Sequence, residues 1–409
     1  MKKIIRILRK VFLYTFGAVV TIILFTILVF WLEHNSSLTL PKPTGTFAVG
    51  RSTFDWIDSS RTDSLAPLAG VKRELIVWIW YPVSGKKLDS AIEYLPMDWR
   101  NVISQKEGFI MSRIMTQNLS KVHPHSIANL EFSPKQTKYP IIFLKSGIGA
   151  LATDYTTLAE DLASHGYVVV GNDSPYSTFV VVFPDGRIIE RTVQGSPGGE
   201  EDASSVYSIH LANRLVSIWS DDTKFILNKL EQLNTIDSSN RFFGRLDTHT
   251  VGIYGHSFGG ATSAQFCYDD IRCKAGIDMD GRPFGPVIQT GLKKPFMFLL
   301  SGPSGEPDPD VLEIKSEIEN IYNSSLKSHV WISLDGAKHF NFSDIALINE
   351  KFISRLSGAT GSIGNRRGLE VAAGCVRTFF DVYLKNQSTT KIDSLAIQYP
   401  EVRIVKSKI

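Results

Sequence analysis

The hydrophobic pattern changes character twice along the chain. Residues 11–32, VFLYTFGAVVTIILFTILVFWL, carry no charged side chain and are apolar on every side of a helix. As a helix this stretch reaches about 33 Å, close to the hydrocarbon thickness of a bilayer. Lys2, Lys3, Arg6, Arg9 and Lys10 precede it, and no acidic residue occurs before Glu33. The positive-inside rule then places residues 1–10 in the cytoplasm and everything after the helix outside, on a single-pass signal-anchor. The rival, a cleaved signal peptide, has a shorter apolar core and a small-residue cleavage site, which FWLEHNSS supplies poorly. Residues 33–50, EHNSSLTLPKPTGTFAVG, read as a polar tether, and 51–409 as one exported domain.

Beyond the tether the period shortens. RELIVWIWYP (73–82) is a β-forming run. Trp78 and Trp80 alternate there with Val77 and Ile79, which indicates sheet packing rather than a sugar platform. Residues 85–135 have weak periodicity and predict no element. From residue 138, short apolar runs alternate with helical patterns. KYPIIFLKS, YVVVGND, HTVGIYG, KAGIDMD, PFMFLLSG and HVWISLDG are strands of the kind buried on both faces. TDYTTLAEDLASHG predicts a helix ended at Gly166, and FVVVFPDGRIIER a hairpin turning at Asp185-Gly186. Residues 205–233 read as one long helix or two abutting ones. GGATSAQFCYD is a further helix, and 366–385 a final amphipathic one. This alternation predicts an α/β fold, with a mostly parallel central sheet, helices on both faces and ligands beyond the carboxyl ends of the strands.

Composition narrows the partners. The 409 residues are 43% hydrophobic and 21% charged, enough for one large domain with a real core. The net charge of +3 is concentrated in the first ten residues, leaving a slightly acidic body that argues against nucleic acid as a partner. The three cysteines, Cys267, Cys273 and Cys375, contain no CxxC and make neither a disulfide framework nor a zinc site. They read as buried thiols, with a pair such as Cys267 and Cys273 able to bridge outside the cytoplasm. His123 and His125, in HPH, do not have a zinc spacing. No metal or cofactor is implied. N-x-S/T sequons include those at Asn35, Asn118, Asn323, Asn341 and Asn386.

The chemistry centres on VGIYGHSFGGATSAQ (251–265). Ser257 lies between a buried strand and a helix start, flanked by Gly255 and Gly259. That is the G-x-S-x-G nucleophile elbow in the context it requires. The turn lifts the hydroxyl clear of the sheet edge, and the N–H of Phe258 points to where an oxyanion would form. A serine hydroxyl needs a base. His339, in SLDGAKHFNFSD, lies downstream of Ser257 and follows a predicted strand, in the loop position a base needs. A glycan on Asn341, two residues on, would obstruct it. For the acid, GIDMDG offers Asp278 and Asp280, two residues apart and so on one strand face, with Asp280 nearer the carboxyl end. Asp308 and Asp310 are rivals from the following strand. The loop LKSGIGA (144–150) is placed to supply a second oxyanion donor through the N–H of Ile148.

Taken together, PTGTFAVG, VWIWYP, SGIGA, SHGYVVVGND, GHSFGGATSA, GIDMDG and GAKHFNFSD resemble the plasma-type (isoform II) platelet-activating factor acetylhydrolases and their bacterial relatives, over roughly residues 41–385. The resemblance implies an α/β-hydrolase fold, with Ser257 as nucleophile and His339 as base. It implies an acid 23 residues after the serine, which is Asp280, and oxyanion donors at Ile148 and Phe258. The chain departs from the family pattern in two places. Ser146-Gly147 stands where the family has His-Gly, and GRPFG, containing Arg282, where it has an apolar run lining the acyl pocket.

The expectation is therefore a membrane-anchored serine ester hydrolase acting on short-acyl or phospholipid-like esters. Alternatives are another serine acyl hydrolase (a long-chain lipase, a peptidase or a polyester hydrolase) and an inactive hydrolase-fold protein that binds a ligand or partner.

Overall fold

The computed structural model describes residues 2–84, 92–110, 116–128, 130–197, 206–237, 241–302, 309–326, 328–348 and 360–408. Its centre is a ten-stranded sheet. In chain order the strands are β1 (Ala48–Thr62), β2 (Lys72–Val83), β3 (Ile127–Ala128), β4 (Tyr139–Lys145), β5 (Val168–Asp173), β6 (Leu246–His256), β7 (Cys273–Met279), β8 (Phe296–Ser301), β9 (His329–Leu334) and β10 (Val402–Lys408). Across the sheet they run β10-β9-β8-β7-β6-β4-β5-β2-β1-β3. The six from β9 to β5 pair in parallel, and β10 and β2 pair antiparallel at either side. The order reverses between β4 and β6, and a crevice opens at that switch beyond the strand ends.

The longer helices are α1 (Lys2–His34), α2 (Met97–Ile110), α3 (Thr156–Ser164), α4 (Val206–Thr235), α5 (Phe258–Asp269), α6 (Pro309–Ser324) and α7 (Asn365–Leu384). Those after α1 cover both sheet faces, as the two faces of β2 make plain. Trp78 and Trp80 enter a core with Leu158 and Leu162 of α3 and Val376 and Phe380 of α7. Val77, Ile79 and Tyr81 enter another with Ile226 and Leu230 of α4 and Ile318 of α6. Strands buried on both faces cannot alternate apolar with polar, which is why they read as continuous hydrophobic runs. Gly166 (φ +91°) ends the α3 segment, and Val180–Val182 pairs antiparallel with Ile188–Glu190 around Gly186 (φ +86°). This is an α/β-hydrolase fold.

Several elements lie outside the sequence reading. Helix α7 is not the last element, because β10, VRIVKSK, closes the sheet edge. Its charged, half-exposed pattern hides it, as is usual for protected edge strands. β1 is missed for the same reason. α2 packs Trp99 and Ile103 into the core, with the Trp99 ring 5.8 Å from that of Trp78. The segment 33–50 is strapped onto the body. Leu38–Thr39 pairs with Val122–His123, and Leu40 is buried. The Leu40 carbonyl accepts from the His125 ring, and Thr44 donates to Asp161. The expectation of buried thiols at Cys267 and Cys273 is corrected: they form a disulfide, with Cα atoms 5.1 Å apart, closing the short connection from α5 into β7. Cys375 is a buried free thiol.

Candidate active site

Ser257 sits at the top of β6 with φ 57° and ψ −125°, left-handed backbone that a non-glycine residue adopts only under constraint. The constraint is close packing. A Cβ on Gly255 would lie 2.0 Å from the Gly259 carbonyl oxygen, and one on Gly259 2.1 Å from that of Lys145. Only glycine lets strand and helix approach so nearly. Within Val251–Cys267, Ser257 alone is not buried. The turn thus presents one hydroxyl to solvent from an otherwise closed core.

Ser257, His339, Ile148 and Gly147 line one cleft of about 250 Å³ at the topological switch. The two backbone N–H groups expected as oxyanion donors are those of Phe258 and Ile148. Phe258 opens α5, so its N–H has no intrahelical acceptor. In the loop after β4, the N–H groups of Gly147, Gly149 and Ala150 donate to the Tyr155 hydroxyl, the Ser177 carbonyl and the Gly147 carbonyl. The N–H of Ile148 has no hydrogen-bond partner among the described residues.

His339 follows β9 in the short turn His339–Phe342, with its side chain 42% exposed, accessible enough for a proton to reach and leave it. Its Nδ1 donates to Asp280 Oδ2 at 2.8 Å. Strand β7 ends at Met279, and Asp280 (φ 55°) turns out of it. Asp280 Oδ1 accepts from both the N–H (2.7 Å) and the hydroxyl (2.8 Å) of Ser301, at the end of β8. Burial pushes the Asp280 carboxyl up, but the His339 and Ser301 contacts outweigh it and hold the group below its ordinary value.

Asp278 does not share that surface. It lies under the elbow, fully buried, with Oδ1 accepting from the Gly281 N–H at 2.9 Å. Burial pushes its carboxyl up to about 8, and the Asp280 charge adds to this. The two aspartates are separated because the backbone reverses hand between them. The rivals give no comparison, since Asp308 and the Asp310 side chain lie outside the described residues. Folded Asp278 keeps its proton to about pH 8, whereas an unfolded aspartate loses it near pH 4. The folded state binds more protons through that window, so this group's contribution to stability falls as pH rises through it. Asp154 and Asp344, pushed by burial to about 7 and about 8, act with the same sign. In thermal melts, Asp278→Asn is expected to show a shallower fall in Tm from pH 5 to pH 8 than wild type; parallel curves would contradict the buried-acid account.

Three contacting residues carried no signal in the sequence. Ser301 reaches Asp280 only because β8 is the neighbour of β7. Tyr155 and His256 form a chain behind the cleft. The Gly147 N–H donates to the Tyr155 hydroxyl (3.2 Å), which donates to His256 Nδ1 (2.8 Å), and His256 Nε2–H donates to the His339 carbonyl (2.9 Å). Burial and the nearby His339 push the His256 imidazole down to about 3, so it stays neutral and keeps this tautomer. The network ties the Ile148 loop to the His339 loop. Asn341 is no open glycan acceptor: it is 1% exposed, and its Oδ1 accepts from the N–H groups of Lys338 and Gly361, both at 2.8 Å. Arg282 points away from the cleft and pairs with Glu313 and Glu317, both at 2.9 Å.

Known proteins carry the same architecture. The family model described as platelet-activating factor acetylhydrolase, isoform II, matches residues 32–175 and 224–398. An Arthroderma benhamiae protein described as "Probable 1-alkyl-2-acetylglycerophosphocholine esterase" is 25% identical over 393 residues, covering 90% of this chain and 94% of that one. The Cavia porcellus platelet-activating factor acetylhydrolase is 28% identical over 276 residues, 62% of this chain and 59% of its own length. A solved structure of a ferulic acid esterase from Streptomyces cinnamoneus superposes with a TM-score of 0.74 at 27% identity, covering 91% of this chain and all of that one. Fold and relatives together define a carboxylic ester hydrolase of the α/β-hydrolase class. Within that class, the chain belongs to the platelet-activating factor acetylhydrolase isoform II family.

Proposed function

We propose that this chain is a membrane-anchored serine esterase for short-acyl, acetyl-phospholipid-like esters, working through Ser257, His339 and Asp280. The observation that carries the reading is the cleft that Ser257 and His339 both line, with Asp280 bonded to His339 Nδ1 at 2.8 Å. That bond sets the tautomer, leaving Nε2 free to take a proton. Ser257 Oγ bonds to the ester carbonyl carbon as His339 takes its proton. The N–H groups of Ile148 and Phe258 receive the oxyanion. Collapse breaks the bond to the alcohol oxygen, which leaves with the proton from His339. Water, deprotonated by His339, then attacks the acyl-enzyme, releases the acid and restores Ser257. Asp280 stays ionised throughout and stabilises the imidazolium.

The small cleft favours a short acyl group. The anchor is α1, 33 residues long and, over its apolar stretch, without a buried residue. Its end is bonded to the body: Asn118 donates to the His34 carbonyl at 3.0 Å, and Gln117 to that of Ser36 at 2.6 Å. Loss of these contacts on cleavage argues for a retained anchor rather than a removed signal peptide.

The test is a kcat/KM series over acyl length with an amide analogue, run beside fluorophosphonate labelling. Acetyl and propionyl esters are expected to lead and the protein to label. A steep preference for long acyl chains or for the amide sinks the short-ester reading, and absence of labelling favours an inactive binding protein.

A further inference from the structure

Behind the cleft, groups from distant segments hydrogen-bond in one direction. The Gly147 N–H donates to the Tyr155 hydroxyl (3.2 Å), that hydroxyl to His256 Nδ1 (2.8 Å), and His256 Nε2–H to the His339 carbonyl (2.9 Å). The direction is forced. A carbonyl only accepts, so Nε2 carries the proton, and Nδ1 of the neutral ring then accepts from the tyrosine. Tyr155 and His256 are both buried. The His256 ring lies 4.4 Å from the His339 ring and 5.8 Å from that of Phe342. The two ends of this chain are parts that must agree in hydrolysis. At one end, Tyr155 holds the Gly147 N–H and the Ser177 carbonyl holds that of Gly149. The Ile148 N–H is thereby fixed between two bonded neighbours. At the other end is the backbone of the base itself.

From this geometry we infer that Tyr155 and His256 are positioning residues, a buried strut that fixes the Ile148 oxyanion donor relative to the His339 base. The inference rests on the esterase reading of Ser257 and His339 and adds to it the residues that hold the two halves of the site in register. Both ring nitrogens of His256 and the Tyr155 hydroxyl are taken up by each other and by backbone, so the pair acts through the loops it joins. Those loops need joining. The Ile148 loop follows β4 and the His339 turn follows β9, and β6, β7 and β8 lie between these strands in the sheet. His256, the last residue of β6, spans the gap. Asp280 orients the His339 ring, whereas His256 holds its backbone. A neutral His256 suits this place. Burial and the nearby His339 push its imidazole down to about 3, so the strut brings no charge against the imidazolium that forms on His339. A shift of about 1 Å between donor and base is enough to cost roughly 100-fold in rate.

The experiment measures kcat and KM for p-nitrophenyl acetate in the full-length protein, per active site titrated to completion with a fluorophosphonate. Titration counts only folded, reactive sites, so a merely structural defect lowers the count and leaves kcat per site unchanged. Tyr155→Phe removes one hydroxyl and keeps the packed ring. It is expected to lower kcat per site roughly 10- to 100-fold while KM stays within about twofold. His256→Leu breaks the strut at its centre and is expected to lose a similar amount. The double variant is expected to lose no more than the worse single one, because a strut cut once is already open. Tyr155→Phe alone decides the matter if His256→Leu does not fold. A Tyr155→Phe enzyme within about twofold of wild-type kcat per site, or changed in KM alone, overturns the strut and leaves the esterase reading intact. Losses that multiply in the double variant do the same. A wild type that neither labels nor hydrolyses the ester removes the esterase reading and the strut with it.

Discussion

Ser257→Ala is expected to lower kcat/KM for p-nitrophenyl acetate by roughly 10⁴-fold or more and to abolish fluorophosphonate labelling. The substitution removes one oxygen and leaves the rest of the site in place. The backbone at φ 57° is imposed by Gly255, Gly259 and their neighbours, and alanine carries the same Cβ as serine, so the elbow keeps its shape. The His339–Asp280 bond and the Ile148 and Phe258 amides remain. What they retain is positioning and oxyanion stabilisation without a nucleophile, which leaves a small residual rate over water. An alanine variant as fast as wild type would end the serine mechanism.

Asp280→Asn is expected to lower kcat by about 10³–10⁴-fold with little change in KM. An asparagine amide can donate to His339 Nδ1, which moves the imidazole proton to the other nitrogen and removes the acceptor Ser257 needs. Asp278→Asn, two residues away, is the matched control. Asp278 is already neutral near pH 7 because burial holds its carboxyl up to about 8, so the amide replaces a group of the same charge. Its kcat/KM is expected to stay within several-fold of wild type. A large loss at Asp278 together with a small one at Asp280 would reverse the assignment. The pair separates the two aspartates by electrostatic environment, which a single substitution does not.

How much of this was legible beforehand follows from how local each feature is. The apolar runs of β4–β9 were readable because strands buried on both faces must be hydrophobic throughout. The elbow was readable because its glycines and serine are neighbours in sequence, and a Cβ on either glycine would come within about 2 Å of a backbone oxygen. Strand β10 at one edge and β1 next to the other were not, because half-solvated strands carry charge and lose contrast. The Cys267–Cys273 disulfide was open rather than predicted, since pairing depends on how α5 meets β7.

The chain by itself determined the class of fold, the apolar N-terminal helix, the position of the elbow and a short set of partners for Ser257. His339 was favoured by its loop position after a predicted strand, and Asp280 by family spacing. Tertiary structure alone decided that Asp280 and Asp278 occupy different environments, that Ser301 holds Asp280, and that Tyr155 and His256 link the loops of Ile148 and His339. The physical reason is the parallel sheet. Its site is assembled from the ends of β4, β6, β7, β8 and β9, which lie far apart in the chain and become neighbours only through strand order.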